Sequence, residues 1–322
     1  MSLGRLLAAC ALTLALAWVP QLQAAEAFPA RPVRWIVPFQ PGGTTDIVAR
    51  LVAQKLAERW PQPVVIENRP GANGAIGTQA GARSAPDGYT WTFGYNGNMT
   101  MNPVLIAKLP YDPNADFVHV AKIVGSAFVL VVNPSVPARS LKEFVDLAKA
   151  SPGKLNAAIG GGAGQLSMAL FKSKVGIDVL DVSYKGNAPS LNAVLSGEAQ
   201  VMFETVAAAL PHVRAGKLRA LAVTTPNRSA LLPDAPPIAE MVPGFDVTLW
   251  FGVAVPAGTP PALVDRINAD LADIARDREV KEKFAALGLE PLGGSAAQTG
   301  TAIRAEAETW QRVAREANIQ QQ

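Results

Sequence analysis

Two glycine-rich turns are the first places in this sequence where chemistry could be done. Pro41-Gly42-Gly43-Thr44-Thr45-Asp46 joins an apolar run to an amphipathic stretch, and Gly160-Gly161-Gly162-Ala163-Gly164 repeats that context in the other half of the chain. Glycine lets backbone N–H groups turn toward a guest with no Cβ in the way. Where such a turn opens a helix, about four N–H groups lack intrahelical partners and the peptide dipoles add a partial positive charge. Together these features make a socket for an anion. The plainer reading of the first turn is a tight strand-to-helix connection with Thr45 or Asp46 as N-cap. Neither G-K-[ST] nor G-x-G-x-x-G occurs in the first turn, so it is not a nucleotide loop of those kinds. One socket in each half suggests a single ligand gripped from two sides.

Other candidates are sparse. The chain has two histidines. His119 precedes a strand and His212 follows Pro211, and each reads as a packed or surface residue. No H-E-x-x-H, nucleophile elbow or Cys/His metal spacing occurs, which leaves no catalytic or metal-binding set to name. Glu204 ends a strand, where it either meets a polar group of a ligand or caps a turn. Lys185 either pairs with a carboxylate or is solvated. Asn96 and Asn98 lie in a loop at the carboxyl end of a strand, where ligands of open α/β sheets bind. Trp250-Phe251 reads as core.

The elements that must position these residues alternate between strand and helix. A strand over 31–38 is followed by a helix over 47–60 with Ile47, Val48, Leu51, Val52 and Leu56 on one face, then a strand over 64–67. A turn-rich loop over 68–74, a helix over 75–83 and a strand over 91–95 continue the pattern. Next come a strand over 120–132 and a helix over 140–150, which Ser140 and Glu143 open as a capping box. A strand over 157–159, a helix over 165–174, strands over 179–182, 201–204 and 218–223, and a helix over 189–195 follow. A long strand over 247–255 precedes three helices: one capped by Thr259 with Pro260 at N1, one over 277–287, and one over 295–318.

Composition sets the class. The 322 residues are 49% hydrophobic and 17% charged, which suits a globular protein of two ordinary domains or one large one. The net charge of +3 and the lack of a dense Lys/Arg block argue against nucleic acid. Arg5 followed by the apolar run over 6–19, Pro20 and the small residues Ala25-x-Ala27 make a secretory signal peptide over 1–27. That run is too short to span a membrane core of ~30 Å. The single cysteine, Cys10, lies inside it. Leu7-Ala8-Ala9-Cys10 resembles a lipoprotein box, but cleavage there would leave a second apolar run on the mature chain. The expected product is a periplasmic protein without cysteine, hence without disulfide, thiolate nucleophile or Cys-ligated metal.

At this level the sequence resembles the Bug-type receptors of tripartite tricarboxylate transporters, from Phe28 to about Gln311. The likeness rests on Phe28-Pro29-x-Arg31-Pro32, on Val37-Pro38-Phe39-x-Pro41-Gly42-Gly43-x-Thr45-Asp46-x-x-Ala49-Arg50 and on Val64-Val65-x-Glu67-Asn68-Arg69-Pro70-Gly71-Ala72. Ala85-Pro86-Asp87-Gly88-Tyr89-Thr90, Leu109-Pro110-Tyr111-Asp112-Pro113, Tyr184-Lys185-Gly186, Leu210-Pro211-His212, the run over 215–224 and the run over 255–260 extend it. The resemblance implies a type II periplasmic-binding-protein fold: two α/β lobes joined by two crossover segments. The first lobe would hold 28–125 and 250–322, the second 126–249. It also implies a carboxylate held through backbone groups and ordered waters at the first turn, with the second turn closing from the other lobe. Two departures stand out. Gly160 to Gln165 is about two residues shorter than the family's loop and lacks its hydroxyls, and Glu204 stands where the family often has Asp.

The expectation is therefore a monomeric, cofactor-free solute-binding protein that takes a small organic acid and hands it to membrane permease subunits. The same receptor presenting its bound state to a signalling partner fits these residues equally, and an enzyme acting on an organic acid fits them least. The candidate ligand-binding residues are Phe39, Pro41, Gly42, Gly43, Thr44, Thr45, Asp46, Asn96, Asn98, Gly162, Ala163, Gly164, Lys185 and Glu204.

Overall fold

The computed structural model describes residues 28–184 and 186–321. The expected signal peptide, Cys10 and Lys185 lie outside the described residues. The strands are β1 (Val33–Val37), β2 (Val64–Asn68), β3 (Thr90–Tyr95), β4 (Phe117–Val132), β5 (Asn156–Ile159), β6 (Leu180–Ser183), β7 (Val201–Thr205), β8 (Arg219–Val223), β9 (Thr248–Pro256) and β10 (Glu290–Pro291). They run in the order β2-β1-β3-β9-β4-β7-β5-β6, with β8 and β10 also paired to β4.

β4 is shared by two lobes. Its residues from Phe117 to Ala127 pair with β9, and Val124 and Gly125 also pair with β10. From Phe128 onward the partners are β7 on one side and β8 on the other. Pairing therefore changes hands between Ala127 and Phe128. The second crossover enters β9 after Val247, whose amide donates to the Thr224 carbonyl. Thr224 pins both crossovers. Its hydroxyl accepts from the Phe128 amide at 2.9 Å and donates to the Val247 carbonyl at 2.6 Å.

The directions of pairing fix where the loops go. β3 is antiparallel to β9, as β9 is to β4, while β1 and β2 are parallel to β3. β1, β2 and β3 thus end toward the second lobe. β7 is antiparallel to β4, and β5 and β6 run parallel to β7, so these three end toward the first lobe. The carboxyl edges of the two lobes face each other across the crossing.

Burial explains the uninterrupted apolar runs. Leu130 and Val132 enter one core cluster of the second lobe, and Val129 and Val131 enter the other. A strand covered on both faces needs no polar alternation. The first lobe packs around Trp35, Trp91, Phe93 and Phe251 with Ile267, Leu271 and Phe284 from the helices Pro261–Arg276 and Arg278–Ala286. The last helix, Ala296–Glu316, serves both lobes. Ile303 packs with Met99 and Trp250, whereas Trp310, Val313 and Ala314 join the second lobe's core with Met101 and Val104.

Several expected boundaries shift. The first helix spans Thr44–Ala57 with Gly43 as N-cap, so neither Thr45 nor Asp46 caps it. Asn96, Gly97 and Asn98 are not a loop but open a helical segment that runs through Gly97–Met101 and Asn102–Leu105. The helix starting at Pro261 is capped by Pro260, not Thr259, whose hydroxyl donates instead to the Pro256 carbonyl. Val206–Arg214 is a helix that the apolar pattern did not announce. Ser140 accepts from the Glu143 amide as expected, but the Glu143 carboxylate takes the Arg139 amide. Ser295 and Gln298 form the complete capping box.

Replacing Thr224, which is fully buried, by Val keeps the shape and strips the hydroxyl from both crossovers. Two backbone groups lose a partner, which costs about 1–3 kcal/mol. A urea unfolding midpoint for Thr224→Val equal to that of the wild type would contradict the pinning role.

Candidate functional site

The first turn follows β1 and lies open. Pro41, Gly42, Gly43 and Thr44 are exposed, Phe39 and Thr45 are half-buried, and Asp46 is buried. A Cβ added at Gly42 or Gly43 would meet nothing within 4 Å. Gly42 adopts φ 88°, in the left-handed region that favours glycine. Gly43, at φ −79° and ψ 170°, provides no side chain to cap the helix. The first N–H groups of Thr44–Ala57 therefore meet solvent rather than an internal acceptor.

Asp46 holds this turn in shape. Its Oδ2 accepts from the Gly42 amide and from Arg50 Nε, both at 2.9 Å, and its Oδ1 accepts from Asn68 Nδ2 at 3.0 Å. Asn68 Nδ2 also donates to the Phe39 carbonyl, and Asn68 Oδ1 accepts from Arg50. Burial alone would raise the Asp46 pKa. Hydrogen bonds from Arg50, the Gly42 amide and Asn68, with the charge of Arg50, outweigh it and hold the carboxyl below its ordinary value. Asp46 was expected to touch the ligand. Its carboxylate is instead committed to the protein, so it shapes the socket from behind.

Three other helices start in the same way on the facing edges. Ala75–Ala82 begins after Gly74, Gly162–Val175 after Gly161 and Asn187–Ser196 after Gly186, none with a side-chain cap. By contrast, helices with side-chain caps begin at Ser140, Asp277 and Ser295, away from these edges, and at Thr205 on the second lobe's edge. Before Ala75–Ala82 four successive residues have positive φ: Gly71 at 130°, Ala72 at 46°, Asn73 at 53° and Gly74 at 84°. The Asn73 carbonyl there accepts from the Tyr95 hydroxyl and Asn102 Nδ2. Strain of this kind persists where surrounding bonds over-determine it.

The remaining candidates divide. Phe39 stands edge-on to Tyr95 at 5.1 Å, an aromatic pair at the ends of β1 and β3. Asn98 is fully buried, donating to Thr78 and to the Phe93 carbonyl and accepting from the Tyr95 amide. Its side-chain amide is thus committed to bonds within the lobe. Asn96 is also buried, but its Nδ2 has no partner among the described residues. Gly162, Ala163 and Gly164 form the first helical turn and are half-buried. A Cβ on Gly162 would lie 2.5 Å from Leu105 Cδ1, so one flank of the second socket is covered by the first lobe. Glu204, at the end of β7, is 2% exposed. Its Oε1 accepts from the Thr205 amide and hydroxyl, and burial raises its pKa against the pull of those bonds.

Arg50 and Asn68 were not singled out as site residues. The Asp46–Arg50 spacing of i to i+4 was readable as a helical pair, whereas Asn68 reaches Asp46 only through the neighbouring strand. His119 is packed: desolvation lowers its pKa to about 4, and Nε2 is an unpartnered buried atom. Among the described residues no cluster of three or more metal-binding side chains forms. A hollow of about 340 Å³ lies elsewhere, lined by Lys122, Leu170, Phe245, Glu306 and Trp310. None of the candidate turn residues lines that hollow; what brings them together is the direction of the strands that they follow.

The chain has clear likenesses among known proteins. The model of the tripartite tricarboxylate transporter family receptor matches residues 48–319. BugT of Bordetella pertussis is 36% identical over 320 residues, covering 98% of either chain. An R. palustris protein solved with adipate matches at TM-score 0.74 and 36% identity, over 92% of this chain and 100% of that one. MatC from Rhodopseudomonas palustris, with bound malate, matches at 0.70 and 31%, over 89% and 99%. A TctC solute binding protein from Polaromonas, solved without ligand, matches at 0.81 and 25%, over 90% and 99%.

The Asp46 network makes a pH-dependent prediction. A carboxyl lowered in the fold contributes stability that is present above its unfolded pKa of about 3.9 and is lost as pH falls through its lower folded value. Asp46→Asn should lower stability by about 1–3 kcal/mol at pH 7. The gap to wild type should narrow below about pH 4. Urea melts of both proteins between pH 7 and pH 3 check this, and a gap that stays constant with pH rules the carboxylate out as its source.

Proposed function

This chain belongs to the tripartite tricarboxylate transporter receptor family, and from that premise we propose that it is a periplasmic solute-binding receptor that captures a small carboxylate between its lobes and delivers it to a membrane permease. The observation that carries the reading is the set of glycine-started helices on facing edges. Gly43 and Gly74 on one lobe, and Gly161 and Gly186 on the other, leave helix N-termini uncapped by side chains. Backbone N–H groups so disposed favour an anion. A guest touching both edges favours the state in which the lobes approach, because its contacts in that state exceed those in the open one. The relatives solved with adipate and malate support the same class of guest.

Binding needs no catalytic group. Bridging waters reach the carboxylate where amides do not. Export as a periplasmic protein follows from the signal-like segment at the start of the sequence. No helix of the described residues is long and apolar enough to cross a membrane.

The socket can be tested without disturbing the fold. Proline is accepted at the first position of a helix, and Gly43 already has the extended conformation that suits a residue before proline. Thr44→Pro removes one amide hydrogen from the socket and leaves the helix intact. Titration calorimetry with a carboxylate chosen by a thermal-shift screen should show about a tenfold loss of affinity, matching about 1.4 kcal/mol. The melting temperature of the empty protein should hardly move. Unchanged affinity in Thr44→Pro would place the anion elsewhere, and a well-folded wild type that no organic anion stabilises would count against the receptor reading itself.

A further inference from the structure

We infer that Glu204 selects the guest, accepting a hydrogen bond from an N–H or O–H group at the end remote from the captured carboxylate. This rests on the receptor reading and names the substrate class for it: a carboxylate with a hydrogen-bond donor at its far end.

Glu204 and Thr205 are the last residues of β7 and pair with Val129 and Phe128 of β4, where the pairing changes hands between lobes. Glu204 therefore stands at the foot of the second lobe's facing edge. Its fastening is one-sided. Oε1 accepts the Thr205 amide at 2.7 Å and the Thr205 hydroxyl at 3.2 Å, and no described residue bonds Oε2. The same Thr205 hydroxyl accepts from the Ala208 amide as the cap of Val206–Arg214, so carboxylate and helix are held by one residue.

Burying a carboxylate with no cation among the described residues is unfavourable. Burial accordingly pushes the Glu204 pKa up, and the Thr205 bonds offset this in part. A turn cap needs Oε1 alone, and a glutamine would serve as well. What glutamate adds is a second oxygen that only accepts. Perturbed, desolvated acids in clefts tend to mark functional sites for this reason.

The geometry also limits size. Tyr95, the last residue of β3, is level with Val124 of β4 through Phe251, and Thr205, the last residue of β7, is level with Phe128. Four residues of β4 therefore separate the ends of β3 and β7, roughly 13 Å, a span of the order that a six-carbon acid with a hydrogen bond of ~3 Å at each end would cross.

Glu204→Gln inverts the chemistry of the free position. Both Thr205 donors require the amide oxygen at the Oε1 place, which puts the amide nitrogen, a donor, where Oε2 accepted. The probes are hexanoate, 6-hydroxyhexanoate and 6-aminohexanoate, measured by calorimetry on wild type and Glu204→Gln, with melting temperatures of the empty proteins alongside. Wild type should bind at least one donor-bearing probe tenfold or more tightly than hexanoate. Glu204→Gln should bring that ratio close to one while melting at the same temperature or higher, since a buried charge is removed. A ratio that survives in Glu204→Gln, or a wild type that binds all three probes alike, overturns the inference and leaves the receptor reading standing. An unchanged melting temperature with the ratio also unchanged assigns Glu204 to turn capping alone. If wild type bound none of the three and no other carboxylate, the receptor reading itself would fall.

Discussion

The arrangement depends on one strand serving two lobes. Phe117–Val132 has sixteen residues, nearly all buried, and it exchanges one set of hydrogen-bonding neighbours for another in the middle. Since the partner strands on each side run antiparallel to it or to its neighbour, the parallel strands of both lobes must end at the crossing. The loops at those ends then face one another as a consequence of hydrogen-bond direction. Ligands of open α/β sheets bind beyond the carboxyl ends of strands, and here two such edges are brought opposite each other. The bonds made by Thr224 to Phe128 and Val247 matter because they fasten the two crossovers together where pairing is exchanged and no ladder continues.

The glycine starts of the helices on those edges gain meaning from this geometry. A side-chain cap stabilises a helix by about 1 kcal/mol, and replacing it by glycine loses only a few tenths. Leaving Gly43, Gly74, Gly161 and Gly186 in place of Ser or Asp is therefore a small sacrifice in stability. In exchange, no side-chain oxygen competes for the N–H groups at these starts, although at the Gly74 start the Ala75 amide already donates to the Ala72 carbonyl. The shape of the first turn is secured by Asp46 through Arg50 and Asn68 instead. The anionic residue sits behind the turn and the open face stays neutral, which suits an anionic guest.

The parts of the fold legible in sequence were those whose signals are local. The glycine turn after β1, the amphipathic run from Val48 to Leu56, and the Ser140 cap were readable because each depends on neighbours within a few residues. What escaped depends on contacts distant in sequence. Asn98 looked like a loop residue facing a ligand, yet its partners Thr78 and Phe93 come from other elements and draw it inside. Leu105 covers the flank of Gly162 from the opposite lobe, which no spacing within 160–165 could disclose. The last helix was expected to belong to the first lobe, but Trp310, Val313 and Ala314 pack into the core of the second. Helix periodicity tells which face is buried and not against what it is buried.

The same distinction separates class of guest from identity of guest. A socket made of backbone amides is recorded in sequence only as glycines and a shaping aspartate, because the donors belong to every residue type alike. Such a record speaks to the class of guest proposed and stays silent about what the anion is attached to. Discrimination among carboxylates must come from side chains that meet the rest of the molecule, and a buried polar group rejects a guest that leaves it unpaired more strongly than an apolar wall rejects a guest of slightly wrong size. Glu204 is a buried acid on the facing edge with one oxygen unbonded by any described residue. The relatives solved with adipate and with malate hold carboxylates of different bodies. Likeness along the whole chain identifies the kind of receptor more readily than its ligand.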